Sequence, residues 1–131
     1  MSAEKDKPAR SVAELALARG EGHRAEGELA AADAAYLEAA REAAHSAFEG
    51  VETAERVKMR ARIGLGRIEL MGGSPDRALG WFLSAREVAS DDWEPLYWQG
   101  CALAWLGDYK GADRSFTVAQ GRNLGQTPHG W

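Results

Sequence analysis

An all-α fold is what this sequence predicts, on three observations. Alanine is abundant and only four of the 131 residues are proline, a composition that favours helix. Apolar residues recur three or four apart in long stretches, and no segment alternates as a strand would. Gly66, Gly73, Ala78, Phe82 and Ala85 also come back as Gly100, Gly107, Ala112, Phe116 and Ala119, each after 34 residues. At this length the chain amounts to one domain with a real core. A net charge of −4 gives no basic surface for nucleic acid. The single cysteine, Cys101, excludes an internal disulfide and suits a reducing compartment. The opening MSAEKDKPAR leads into no apolar run, so it does not read as a secretory signal, and nowhere do enough apolar residues follow one another to span a membrane. A cytoplasmic protein with neither membrane nor nucleic-acid partner is expected. The Ala-, Gly- and Arg-rich composition suggests a bacterial source.

The elements follow from local chemistry. Residues 1–10 read as a flexible tail ending near Pro8. Ser11 and Glu14 form a capping box that starts a helix running to about Ala25, weakened by Gly20 and Gly22. Gly27 marks a turn. From Glu28 to about Phe48 a helix is predicted with Leu29, Ala32, Tyr36, Ala39, Ala43 and Ala47 on one stripe, and Gly50 breaks it. Glu52 to Met71 carries Ala54, Val57, Ala61, Leu65 and Ile68 on a stripe and ends at Gly72-Gly73. Ser74 then stands as N-cap, with Pro75 at the first helical position, where no donor is missed. That helix runs to about Ala89. Asp91 or Asp92 caps the next, in which Pro95 is tolerated in the first turn, and it ends at Gly107. Asp108 caps the last helix, expected to fade near Gly121. Residues 122–131 are polar and contain Gly and Pro, so a C-terminal tail in coil is expected.

A helix-turn-helix unit with a 34-residue period and Ala-x-x-x-Phe on its second helix resembles the tetratricopeptide repeat (TPR). A first copy stands upstream at Gly20, Gly27, Ala32, Tyr36 and Ala39, with Tyr in place of Phe. It precedes the second by 46 residues. The twelve extra residues amount to about three helical turns, shared between two lengthened helices flanking Gly50. The resemblance implies a right-handed α-solenoid of three units, at about 13–46, 59–92 and 93–124, within a repeat domain over 11–121. Departures from the family pattern are clear. Its preferred Trp is replaced by Ala16, Arg62 and Leu96, its Leu-Gly pair is complete only at Leu65-Gly66, and its closing Pro is replaced by Ala44, Ser90 and Leu124.

The resemblance further implies a concave groove lined by the first helix of each unit. Carried over by register, the first unit offers Glu14, Leu17, Glu21, Arg24 and Ala25. The second offers Arg60, Ile63, Arg67, Leu70 and Met71, and the third offers Glu94, Tyr97, Cys101, Ala104 and Trp105. Of these, Leu17, Arg24, Arg60, Ile63, Arg67, Tyr97, Cys101 and Trp105 are the candidate peptide-binding residues. Arg60 and Arg67 are seven apart on one helical face and suit a carboxylate. Tyr97 and Trp105 are eight apart and suit an apolar anchor, although an aromatic on a helix is as often a core residue. Trp93 and Trp98 read as packing residues. The family's clamp for chaperone C-termini is missing, since Leu17, Glu21, Gly64 and Glu94 occupy its positions.

No enzyme is expected. His23, His45 and His129 lie in distant segments without metal-ligand spacing, Gly20-Glu21-Gly22 and Gly72-Gly73 form no phosphate loop, and no nucleophile has an evident base. No catalytic residue, metal or cofactor is assigned. The expected role is protein–protein interaction, as an adaptor, scaffold or small chaperone, with a partner segment in the groove. The alternative is a self-associating structural protein that uses the uncapped C-terminal face of the last unit, where Leu124 and Trp131 follow Phe116.

Overall fold

A computed structural model describes residues 11–45 and 51–126, with side chains over 11–45 and 53–124. The described residues are all-helical. Six helices follow one another: α1 (Val12–Ala25), α2 (Leu29–His45), α3 (Val51–Met71), α4 (Pro75–Val88), α5 (Trp93–Trp105) and α6 (Tyr109–Gln126). The expected tail at 1–10, the break at Gly50 and the end of the second helix beyond His45 lie outside the described residues.

The helix starts differ in chemistry. Ser11 Oγ accepts from the Glu14 amide at 3.0 Å, and its own hydroxyl donates to the Glu14 carboxylate at 3.3 Å. The capping box is therefore closed through the side chain. Asp92 caps α5 through the Glu94 amide, and Asp108 caps α6 through the Gly111 amide, each at 3.0 Å. Ser74 stands at the N-cap of α4 but makes no side-chain cap bond; Pro75 fixes the first turn instead.

The three turns are copies of one another. Gly27, Gly73 and Gly107 have φ of 78°, 84° and 87°, a left-handed conformation that a side chain would strain. After each, the next amide reaches back to a carbonyl five residues earlier: Glu28 to His23, Ser74 to Glu69 and Asp108 to Leu103, at 2.8, 2.8 and 2.9 Å. This is the Schellman closure of a helix.

Pairs α1–α2, α3–α4 and α5–α6 pack as hairpins, and α2–α3 and α4–α5 join one hairpin to the next. The first helices also touch, α1 with α3 and α3 with α5, whereas α2 and α4, or α4 and α6, do not. One continuous wall of α1, α3 and α5 results.

Within each hairpin a glycine of the first helix receives the aromatic ring of the second. A Cβ added at Gly20 would lie 2.8 Å from the Tyr36 ring, at Gly66 2.4 Å from Phe82, and at Gly100 2.7 Å from Phe116. The paired alanines Ala32 and Ala39, Ala78 and Ala85, and Ala112 and Ala119 are all buried. The core lies in two seams. Ala13, Ala16, Ala32, Tyr36, Ala39, Ala43, Val57, Ala61, Leu65 and Ile68 join α1, α2 and α3. Met59, Ile63, Ala78, Phe82, Ala85 and Ala102 join α3, α4 and α5. Helix α3 serves both seams, which accounts for its apolar residues on two faces.

The last helix corrects an expectation. It continues through Gly121 to Gln126, so residues 122–126 are helix and not coil. The cost of one helical glycine is about 1 kcal/mol. A tie at that point offsets it, because the Arg122 guanidinium donates to the Ser90 carbonyl just beyond α4. No described helix is long and apolar enough to cross a membrane.

Candidate functional site

The wall of α1, α3 and α5 carries the chain's concentrated polar chemistry. At its α1 end, Tyr36 reaches from α2 through the first hairpin. Its hydroxyl donates to Glu21 Oε2 at 2.8 Å and accepts from Arg24 Nε at 2.9 Å, while Arg24 also donates to Glu21 at 2.6 Å. Burial pushes the Tyr36 phenol up to about 12; the Arg24 bond pulls the other way and the Glu21 carboxylate adds to the rise. Burial works against the Arg24 charge, but its bonds to Glu21 and Tyr36 outweigh it and hold the guanidinium above its ordinary value. Glu21 is thus committed within the first hairpin.

Gly64 makes this arrangement possible. A Cβ there would lie 2.3 Å from the Tyr36 ring, so the ring is held between Gly20 and Gly64. Thirty-four residues on, the same position is Trp98. Its ring stacks on Phe82 with centroids 6.1 Å apart, filling from α5 the space that Tyr36 fills from α2.

Arg67 lies over that indole, its guanidinium carbon 4.2 Å from the Trp98 ring centre. Such a contact stabilises the cation by about 1 kcal/mol and fixes its plane. Burial lowers the Arg67 pKa and the nearby Arg24 charge lowers it further, against the weaker pull of Glu21, Tyr36 and Glu94. Among the described residues Arg67 has no ion pair and no hydrogen bond: the salt bridges of the wall are Arg24–Glu21 and Arg60–Glu94. A half-buried guanidinium without a carboxylate is an unspent charge, with a planar fork suited to an outside anion.

Arg60 is partly spent. It faces Glu94 at 3.4 Å, and its Nε is buried with no acceptor. Burial nonetheless pushes the Glu94 carboxyl up, against the pull of Arg60, so the pair does not compensate its own desolvation. Two clefts flank Arg60. One of about 560 Å³ lies between α1 and α3 and is lined by Leu17, Ala18, Glu21, Arg56 and Val57 among others. Another, of about 730 Å³, lies beyond it toward Val88–Trp93.

The remaining candidates divide. Leu17 lines the first cleft, with part of its surface against the core. Ile63 is only 3% exposed and belongs to the second seam, so it offers no surface to a ligand. Tyr97 packs against Trp93, Trp98 and Phe116, with centroids 6.2, 5.1 and 5.7 Å away. Trp105 is 65% exposed beside the Gly107 turn and shares no ring contact with Tyr97, so the two do not form one anchor. Burial pushes the Cys101 thiol up, against the Tyr97 hydroxyl and the Arg67 charge, so it is a protonated, weak nucleophile.

Three contributors escape the register argument. Tyr36, Gly64 and Trp98 are not among the candidate peptide-binding residues, yet they build the platform on which the arginines stand. One signal was visible, a tyrosine where the other units have phenylalanine. No group of three or more His, Cys, Asp or Glu side chains among the described residues is placed to hold a metal ion. Comparison with models of known protein families gives no match, and neither does comparison with curated proteins.

Proposed function

We propose that the chain is a protein-interaction module of the TPR kind, a short right-handed solenoid of three units that holds an acidic segment of a partner protein along the wall of α1, α3 and α5. Three features support the solenoid. The glycine–aromatic pair, the paired alanines and the Schellman turn recur in register in all three hairpins. Contact between the first helices but not between the second helices fits an array curved toward the first.

Arg67 carries the functional reading. Its guanidinium is desolvated, oriented by Trp98 and without a carboxylate of its own. A carboxylate brought by a partner restores what burial took away, and the partly exposed Arg60 guanidinium, held among the described residues only by Glu94 at 3.4 Å, has further N–H donors to give. The neighbouring cleft beside Leu17 and Val57 takes an apolar side chain of the same segment.

The test is an array of short peptides that combine Glu or Asp with Leu at every spacing, each beside its Gln or Asn counterpart. Acidic members should bind and their neutral counterparts should not, with affinity falling as salt rises. Arg60→Glu with Arg67→Glu should weaken binding by about a hundredfold or more. Arg77→Glu, on exposed α4, serves as the control that leaves it unchanged. Equal binding of acidic and neutral peptides, or unchanged affinity in the double reversal, would sink this reading.

A further inference from the structure

The two ends of the array expose opposite halves of one interface. Inside the chain, each seam is made when the first helix of a unit covers the aromatic of the unit before it. Ala61, Gly64, Leu65 and Ile68 of α3 do this for Tyr36; the same positions of α5 are Pro95, Trp98, Gln99 and Ala102, of which Trp98 stacks on Phe82 and Ala102 packs with it. Tyr36 and Phe82 are consequently 0% exposed.

Helix α1 has the same row at Leu15, Ala18, Arg19 and Gly22, all of them exposed. Nothing lies within 4 Å of where a Gly22 Cβ would be. At the other end, Phe116 stands where Tyr36 and Phe82 stand, and it is only partly buried. With Trp93, Tyr97, Ala119, Gln120 and Asn123 it lines an apolar cleft of about 490 Å³.

The polar residues at the rim match as well. In the second seam Arg86 donates to the side-chain amide oxygen of Gln99, Oε1, at 3.0 Å. One unit further on, the position of Arg86 is held by Gln120, and the position of Gln99 is held in α1 by Arg19. The donor and acceptor have changed sides, but the pair is preserved. Arg19 keeps its bond to Glu38 at 2.8 Å and still has donors to give, since a guanidinium carries several.

We infer that the occupant of the Phe116 face is the α1 face of a second copy of this chain, stacked head to tail in continuation of the internal seams, with Arg19 of one copy donating to Gln120 of the next. This contact is heterologous and does not close on itself, so it builds a linear stack. It shares only Ala18 with the cleft beside Leu17 and uses none of the arginines of the proposed peptide site, so its test reads mass and not peptide binding.

Sedimentation of the full chain over a wide concentration range tests it. The weight-average mass of the wild type should rise with concentration past that of a dimer. Leu15→Glu blocks one end and Gln120→Arg sets a cation against Arg19 at the other, and both sites are exposed, so folding is retained. Each variant alone should associate at least about tenfold more weakly, and their mixture should recover a one-to-one dimer through the two intact faces. Arg19→Gln with Gln120→Arg recreates the internal Arg86–Gln99 pair and should restore stacking. A wild type that stays monomeric overturns the inference, and so does a Leu15→Glu variant that dimerises as well as the wild type. A monomer that stacks only after residues 127–131 are removed assigns the face to the chain's own tail and overturns it too.

Discussion

Tyr36 and Phe116 hold the same position in the first and last units, and their surroundings differ sharply. Tyr36 is fully buried between Gly20 of its own hairpin and Gly64 of the next. Phe116 has Gly100 on one side and, on the other, an open cleft rimmed by Trp93, Tyr97 and Gln120. A hairpin of this kind cannot bury its own aromatic; only the following unit completes the job. Stability therefore resides in the seams. Among the described residues there are two of them, both using α3, and α6 contributes to neither.

The largest effect should come from emptying a filled seam. Phe82→Ala removes a ring with no exposed surface and should cost about 3–5 kcal/mol in urea unfolding. Phe116→Ala, at the open end, should cost less than half as much when unfolding is followed at concentrations dilute enough to keep the chain monomeric. Equal losses in the dilute monomer would mean that the chain covers this face itself.

Glycine substitutions sharpen the same contrast. Gly64→Ala drives a methyl to 2.3 Å from the Tyr36 ring, which has nowhere to go, and should cost about 3 kcal/mol. Gly100→Ala meets Phe116 at 2.7 Å, but that ring has open space beyond it. The net cost there should be about 1 kcal/mol, because the better helix propensity of alanine offsets part of the clash.

The smallest effect is a titration. Tyr36 is neutral when folded up to about pH 12, whereas an unfolded tyrosine ionises near 10. Its folded pKa is raised, so its contribution is fully present below pH 10 and is lost as pH rises toward 12. The loss should be up to about 2 kcal/mol over that window. Tyr36→Phe should flatten this difference, at a cost near neutral pH of about 1 kcal/mol for the broken Glu21 and Arg24 bonds. A wild type and a variant with parallel profiles between pH 10 and 12 would remove Tyr36 from the network.

Much of the architecture was legible because it repeats. The glycine–aromatic pair inside each hairpin and every turn glycine follow from two offsets in the sequence, and the helix stripes place the core. What periodicity missed has physical causes. The extension of α6 depends on Arg122 finding the Ser90 carbonyl, a contact between distant segments. Register places Ile63 in the groove, but α3 feeds two seams and Ile63 packs into the second. Tyr97 and Trp105 share a helical face by spacing. Tyr97 is drawn toward Phe116, while Trp105 remains at the turn. The pairing of Arg67 with Trp98 required knowing that Gly64 and Trp98 are equivalent positions with opposite volumes. Sequence spacing identified the two arginines; only the packing distinguishes the spent one from the free one.

The Arg67 side chain reports on that distinction directly. Its Nε–H resonance can be followed by NMR while an acidic peptide from the array is titrated in, with the Trp98 indole as a second probe. Both signals should move together and saturate with the peptide, and the neutral counterpart should leave them in place. An acidic peptide that binds while the Arg67 and Trp98 signals stay still would contradict this role of Arg67.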